Sequence, residues 1–291
     1  MSNFVFFKKL KNRHIWNRLL YERLSEPLHL NCLALFVAIF GNYRQKIEFD
    51  LIIRHHHAYA LLNIADQAKS LGYKRTSIIE FGVATGAGLL NLPEIARKVT
   101  ELTGVGIDVY GFDTGAGMPP PTSFRDHPEL YQVGDYPMDL KKLSEKLDKN
   151  TQIVLGPISE TVKKFTSKNF ADAPIGFISI DVDYYSSTVD ALKVLEHDST
   201  NYLPRIVIYL DDLEDPSHNS YCGEQGAVNE FVANHPMRLI EKHPFLRGHR
   251  LFKNARWIDH IYQCHVLDHP TRNELNTNRV KEVLSNPYLS A

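Results

Sequence analysis

The stretch SIIEFGVATGAGLLNL, residues 77–92, constrains this chain more than any other. An apolar run of Ile78, Ile79 and Phe81 leads into Gly82, Gly86 and Gly88, and a helical pattern follows. That order reads as a strand, a glycine turn and a helix start. Glycine lacks a Cβ, so the backbone can turn tightly and a ligand can come close. The helix start offers free N–H groups. In open α/β sheets, a turn of this kind at the C-terminal end of a strand is where nucleotides bind.

The spacing selects among nucleotides. A dinucleotide fingerprint runs G-x-G-x-x-G with an acid about 20 residues on. Here the glycines run G-x-x-x-G-x-G, and the next strand-end acid, Asp113, is more distant. A phosphate-binding P-loop needs Gly-Lys-Ser/Thr at its end, and no lysine follows these glycines. What remains is E-x-G-x-x-x-G-x-G, carried by Glu80, Gly82, Gly86 and Gly88 with Thr85 inside the turn. This pattern resembles motif I of class I S-adenosylmethionine-dependent methyltransferases.

The chain has 291 residues, 43% of them hydrophobic, enough for one large core with an accessory segment. The net charge of −1 gives no global field that attracts nucleic acid or anionic lipid. Cys32, Cys222 and Cys264 are far apart and odd in number, so reduced cytoplasmic thiols are expected rather than disulfides or a metal knot. The basic, interrupted N-terminus MSNFVFFKKLKNRHIW does not read as a signal peptide. The longest uncharged run, residues 27–42, is shorter than the ~20 residues of a membrane span. It reads as a buried helix, with an interfacial helix or an intersubunit helix in a homodimer as the alternatives.

Residues 1–50 are expected to be a helical extension, 51–270 the catalytic domain and 271–291 a peripheral tail. Residues 51–71 carry a helical apolar face that includes Ile53, His57, Leu61, Ile64 and Ala68. His55, His56 and His57 point about 100° apart on a helix and cannot converge on one ion. Helix packing is their expected role, with His57 or His56 reaching the site as the alternative. The next helix runs to Thr103 and contains Pro93; either it kinks there or Asn91 caps a second start. Strands follow at DVYGFD, TQIVLG, PIGFISID, RIVIYLDD, MRLIEK and DHIYQCHVL. The expected fold is α/β: a Rossmann-like, doubly wound, mostly parallel seven-stranded sheet with helices on both faces and an N-terminal helical extension.

Asp113 closes the second strand, where one carboxylate suits two ribose hydroxyls. Residues 114–139 form a long Pro-rich connection of the lid or binding-loop kind, in which Arg125, Asp126, Tyr131, Asp135 and Tyr136 are candidates to meet a polar substrate. Two later strands end in paired acids, Asp181 with Asp183 and Asp211 with Asp212. Four carboxylates on one sheet edge repel unless a cation sits among them. A hard-oxygen set favours Mg²⁺, Mn²⁺ or Ca²⁺ over zinc. In a D-x-D at a strand end both side chains can share a face, because the strand period is two.

The segments VYGFDTGAGMP, FISIDVDYYSST, IVIYLDDL and GEQGAVNEF together resemble the macrocin O-methyltransferase family over roughly residues 75–235. Those enzymes are S-adenosylmethionine-dependent, metal-assisted methyltransferases of sugar hydroxyls. Gly115 and Ala116 stand where the family carries an aromatic and usually an acid, so the acceptor stays open. The resemblance implies methyl transfer to a hydroxyl of a small polar acceptor such as a sugar, a glycoside or another vicinal diol. It implies a cofactor site of Glu80, Gly82, Thr85, Gly86, Gly88, Asp113, Thr114, Gly156, Ile158 and Asp181. It implies an ion held by Asp211, Asp212 and one of Asp181 or Asp183. Asp183 is the first candidate for the base, and His218 is the second. Two other readings compete: a metal-dependent glycosyltransferase that uses its D-x-D acids, and a methyltransferase-like binding protein without catalysis.

Overall fold

The computed structural model describes residues 18–148, 150–213, 217 and 219–274. In chain order, a short π-helical turn (Arg18–Arg23) precedes α1 (Leu28–Phe40), α2 (Tyr43–Glu48) and α3 (His55–Ser70). Then come β1 (Arg75–Phe81), α4 (Ala87–Thr103), β2 (Gly106–Asp113), α5 (Leu140–Ser144), β3 (Thr151–Leu155) and α6 (Ile158–Phe165). The second half runs β4 (Ile175–Ile180), α7 (Tyr185–Leu192), β5 (Tyr202–Leu210), α8 (Gly223–Asn234), β6 (Arg238–Lys242), α9 (Leu246–His249) and β7 (Ile261–Val266).

The sheet is built outward from β1, which is buried after its first residue. Side chains alternate across a strand, so Ile78 joins the core on one face while Ile79 and Phe81 join the core on the other. A strand covered on both faces has no need of polar alternation, which is why its sequence is a continuous apolar run. Parallel pairing to β2 and β4 places it at the centre. The full order is β3-β2-β1-β4-β5-β7-β6, with β7 antiparallel to both neighbours. The expected Rossmann-like, mostly parallel seven-stranded sheet with helices on both faces is therefore what the chain forms.

Helices α3 and α4 cover one face through Leu61, Ile64, Leu89 and Val99. Helices α6, α7 and α8 cover the other through Val162, Phe165, Leu192 and Phe231. The chain leaves β1 toward β2 on one side and returns to β4 on the other. This makes a switch point between the C-terminal ends of β1 and β4, where a crevice opens. Pro93 lies inside one continuous α4, and Asn91 donates its Nδ2 to Ala87 O at 2.6 Å rather than capping a second helix.

Residues before α3 are clamped to the C-terminal part of the domain. The buried Arg250 donates Nη2 to Asp50 Oδ1 at 2.8 Å and to the carbonyls of Ile47 and Glu48, and its Nη1 meets Glu48 Oε2 at 2.9 Å. Trp257 Nε1 donates to Asp50 Oδ2 at 3.3 Å. The three histidines that open α3 go to different neighbours, as helix geometry requires. His55 lies edge-on to Trp257, His56 stacks on Tyr209 at 4.3 Å, and His57 is buried edge-on to Phe177. All three cysteines are free thiols. Among the described residues, no helix is long and apolar enough to cross a membrane.

Removing one partner of a buried ion pair leaves the other charge uncompensated, so Arg250→Ala is expected to cost about 3–5 kcal/mol of unfolding free energy. Urea titration checks this, and a loss below about 1 kcal/mol counts against the clamp. Burial, with Arg54 and His55 adding to it, pushes the His57 imidazole down to about 3. The unfolded chain then binds the proton first as pH falls, so stability is complete above the ordinary histidine range and declines below about 6.5 by up to about 1.4 kcal/mol per pH unit. A His57→Leu variant is expected to flatten that slope between about pH 6.5 and pH 4 in matched denaturation curves.

Candidate active site

The turn after β1 is shaped first by the protein's own packing. Gly82 and Gly86 have φ of +86° and +81°, the left-handed region that glycine enters without penalty. A Cβ at Gly82 would overlap the Asp181 carbonyl oxygen, and one at Gly86 would overlap the Leu143 side chain. At Gly88 it would overlap Glu80 Oε1. The close approach these glycines permit is therefore to strand β4, to α5 and to a carboxyl group, as well as to any ligand.

Glu80 lies beneath the turn, almost wholly buried. Burial, reinforced by Asp181 and Asp113 and opposed by Arg54, lifts its carboxyl to about 8. Its Oε2 has no hydrogen-bond partner among the described residues.

Asp113, at the end of β2, accepts from Val83 N at 2.9 Å and Ala84 N at 2.8 Å through Oδ2, and from Gly115 N at 2.6 Å through Oδ1. A carboxylate has about four acceptor positions, so roughly one stays free. Asp113 therefore holds the glycine turn against β2 while it lines the cavity.

A cavity of about 520 Å³ opens at the switch point. Gly82, Ala84, Asp113, Thr114, Ile158 and Asp181 are on its wall. Of the expected cofactor residues, Glu80, Thr85, Gly86, Gly88 and Gly156 are not. Thr85 is exposed, and Gly156 (φ +128°) donates its N–H to the Asp113 carbonyl at 2.9 Å while Pro157 and Ser159 reach the wall in its place.

Asp181, Asp183, Asp211 and Asp212 all line the same cavity. Asp181, Asp211 and Asp212 each offer an oxygen within 4.8 Å of the others. Asp183 stands outside that trio. Strand β4 ends at Ile180, and Asp183 adopts φ +57°, so a turn rather than strand alternation sets its direction. Its N–H donates to Asp212 Oδ2 at 3.1 Å, and its carboxylate is hydrogen-bonded to Tyr131. The structure thus separates the two acids of the D-x-D: Asp181 joins the cluster, and Asp183 flanks it.

The cluster is electrostatically costly without a cation. Loss of water, then the neighbouring acids, lifts Asp181 to about 8 and Asp212 to about 9. Asp183 is raised mainly by burial as well. Beneath them lies Glu224 at the start of α8, fully buried, its Oε2 accepting from Asp212 N at 3.2 Å and its Oε1 without a partner among the described residues. Burial and Asp212 hold its carboxyl far above the usual range. Tyr209 donates its hydroxyl to Asp211 Oδ1 at 2.6 Å from between His56 and His260. The sequence reading missed Glu224 and Tyr209. The signal for Glu224 was an acid at a helix start, GEQGAV, and that for Tyr209 was its place two residues before Asp211.

The loop over the cavity is tied at several points. Met118 N donates to Asp135 O, and Gly134 N donates to Met118 O, which closes the loop on itself. Asp126 is buried and accepts from Thr122 N, Thr122 Oγ1, Ser186 N and Ser186 Oγ at 2.7–3.0 Å. Burial opposes its ionisation, but these four bonds prevail and hold its carboxyl below the ordinary range. Arg125 lies over the Tyr185 ring at 3.5 Å and donates to Tyr221 O and Glu230. Arg125 and Asp126 are tethers of the loop, whereas Asp135 and Tyr136 face the cavity. His218 lies outside the described residues.

The crystal structure of the calicheamicin methyltransferase CalS11 matches 81% of this chain and 90% of its own at 18% identity, with a TM-score of 0.50. The chain has a methyltransferase fold. An apo structure of CalS11, described as a TDP-rhamnose 3'-O-methyltransferase, matches at 18% identity over 82% of this chain and 92% of its own, with a TM-score of 0.41. A CmcI structure designated "cmcI-D160 Mg-SAM" matches at 17% identity over 70% of each chain, with a TM-score of 0.38. No protein-family model matches the chain, and no curated protein sequence does. Within the methyltransferase fold the cavity occupies the crevice at the carboxyl ends of β1, β2, β4 and β5.

The packing of Gly88 on Glu80 gives a direct test. Gly88→Ala is expected to destabilise the fold by about 1–3 kcal/mol through overpacking. Adding Glu80→Ala opens that space and is expected to recover at least half of the loss. Additive losses in the double variant, read by thermal denaturation, would show that the two do not share a contact.

Proposed function

We propose that this chain is an S-adenosylmethionine-dependent O-methyltransferase that uses a divalent cation, Mg²⁺ first, and acts on a small polar acceptor carrying neighbouring hydroxyls. The observation that carries the reading is the charge of the cavity. Seven carboxylates, including Asp113, Asp135 and Asp190 beside the four strand-end acids, face it, and among the described residues no Lys, Arg or His does. A wall of that kind suits cationic occupants, a sulfonium with its ammonium group and a metal ion, and it does not suit a diphosphate. This weighs against a nucleotide-sugar site. The methyltransferase fold shared with CalS11 supports the same class of chemistry.

The residues fit both groups. Gly82, Ala84, Asp113 and Thr114 would border the methionine and ribose parts, and Ile158 with Ser159 would border the adenine. Asp181, Asp211 and Asp212 would hold the cation, with Tyr209 orienting Asp211 and Glu224 supporting Asp212. S-adenosylmethionine supplies an electrophilic methyl group on its sulfonium. The cation supplies Lewis acidity that lowers the pKa of an acceptor hydroxyl and fixes its direction. Asp183, beside the cluster and hydrogen-bonded to Tyr131, would take the hydroxyl proton on a carboxylate oxygen. The loop carrying Met118, Asp135 and Tyr136 would exclude water from the transfer.

Calorimetric titration of S-adenosylhomocysteine, with and without Mg²⁺, tests this reading. Micromolar binding that is lost in Asp113→Ala is expected. Asp211→Asn is expected to keep that binding while weakening Mg²⁺ by more than about tenfold. Binding of a nucleotide-sugar but not of S-adenosylhomocysteine would move the chain to the glycosyltransferases. Binding of none of these ligands would leave a scaffold.

A further inference from the structure

Helix α1 has a composition and an exposure that do not match. Its thirteen residues, LHLNCLALFVAIF, include no Asp, Glu, Lys or Arg. A helix apolar all round is normally covered on every side. Here the domain covers only the side of Ala34 and Val37. Leu28, Leu35, Phe36, Ile39 and Phe40 are 59–76% exposed. Leu28, Leu35 and Ile39 follow helical spacing along one face, with Phe36 and Phe40 beside them. Leu20, Tyr21 and Leu24, just before the helix, are more than half exposed as well. Monomeric proteins seldom leave so many large apolar side chains contiguous and open to water.

The segment that leads into this face is strongly basic. The first 21 residues hold Lys8, Lys9, Lys11, Arg13 and Arg18 and no Asp or Glu, although the whole chain carries a net charge of −1. Phe4, Phe6 and Phe7 precede these cations, and Trp16 falls between Arg13 and Arg18. The near-neutral total hides this local excess. Arg23 is not part of it, because it packs on Phe252 and donates to the carbonyls of Phe49 and Asp50.

We propose that this end of the chain is a membrane-surface anchor: α1 lays its open apolar face into the headgroup–acyl boundary of a bilayer, and the basic segment pairs with anionic lipid headgroups. Charge complementarity selects this occupant. A second copy of the chain could cover the apolar face, but the same stretch of its sequence carries the same basic excess rather than a counter-charge. An anionic bilayer satisfies the apolar face and the positive charge together. At thirteen residues α1 is too short to span the hydrocarbon core, so it lies along the surface. The anchor is independent of what the cavity binds.

The test is co-sedimentation of the 291-residue chain with vesicles, paired with light scattering. Vesicles of phosphatidylcholine mixed with phosphatidylglycerol are expected to bind the protein more than about tenfold better than pure phosphatidylcholine, with a marked loss at high salt. Leu35→Glu/Ile39→Glu changes two exposed side chains, so the melting temperature is expected to hold while vesicle binding is lost. Lys8→Glu/Lys9→Glu/Lys11→Glu is expected to remove the preference for anionic vesicles. No binding to either vesicle, equal binding to both, or binding untouched by Leu35→Glu/Ile39→Glu overturns the anchor. A dimer that Leu35→Glu/Ile39→Glu dissolves, with no vesicle binding, assigns the face to a second copy instead.

Discussion

The site depends on one carboxylate. Asp113 accepts from two amides of the turn after β1 and from one in the loop that follows its own strand. Those three bonds fix the turn, and with it the ends of two neighbouring parallel strands. The glycines allow the approach, because a Cβ at Gly82 or Gly88 would meet the Asp181 carbonyl or the Glu80 carboxyl. Turn, strand end and loop form one unit, so a change at any of them reaches the others.

The second constraint is the density of negative charge. Parallel strands β4 and β5 deliver Asp181, Asp211 and Asp212 to one place, and Glu224 lies buried under them. Removing water from Asp181, Asp212 and Glu224 raises their proton affinity, and the neighbouring acids raise it further. A fold that leaves such a cluster without a counter-charge carries a standing electrostatic cost. Tyr209, held between two imidazole rings, and the Asp212 amide on Glu224 give the cluster a fixed geometry that a merely solvated acidic patch lacks. The loop over the cavity is organised by the same economy of polar contacts. Buried Asp126 pins the loop to the start of α7 and leaves Asp135 and Tyr136 at the cavity.

Much of this architecture was legible in the sequence. Continuous apolar runs identified strands covered on both faces, because parallel sheets bury both sides. The glycine spacing and the strand-end acids located the turn and the acid-lined edge, since successive parallel strands must end on the same side. Helix periodicity also ruled out convergence of His55, His56 and His57, and they do go to different neighbours. What only the tertiary structure decided is which groups touch. A left-handed turn at Asp183 takes it out of the cluster that Asp181 enters, and strand alternation alone could not foresee that. Glu224 reaches the acids from a different helix, a relation set by packing between separate segments, whereas Tyr209 meets Asp211 from two residues earlier in the chain. Asp113 also accepts from three backbone amides, a role that its position at a strand end did not reveal. Local sequence determines where the chain turns and which face it buries; the contacts between side chains far apart in sequence are decided only when the layers close on each other.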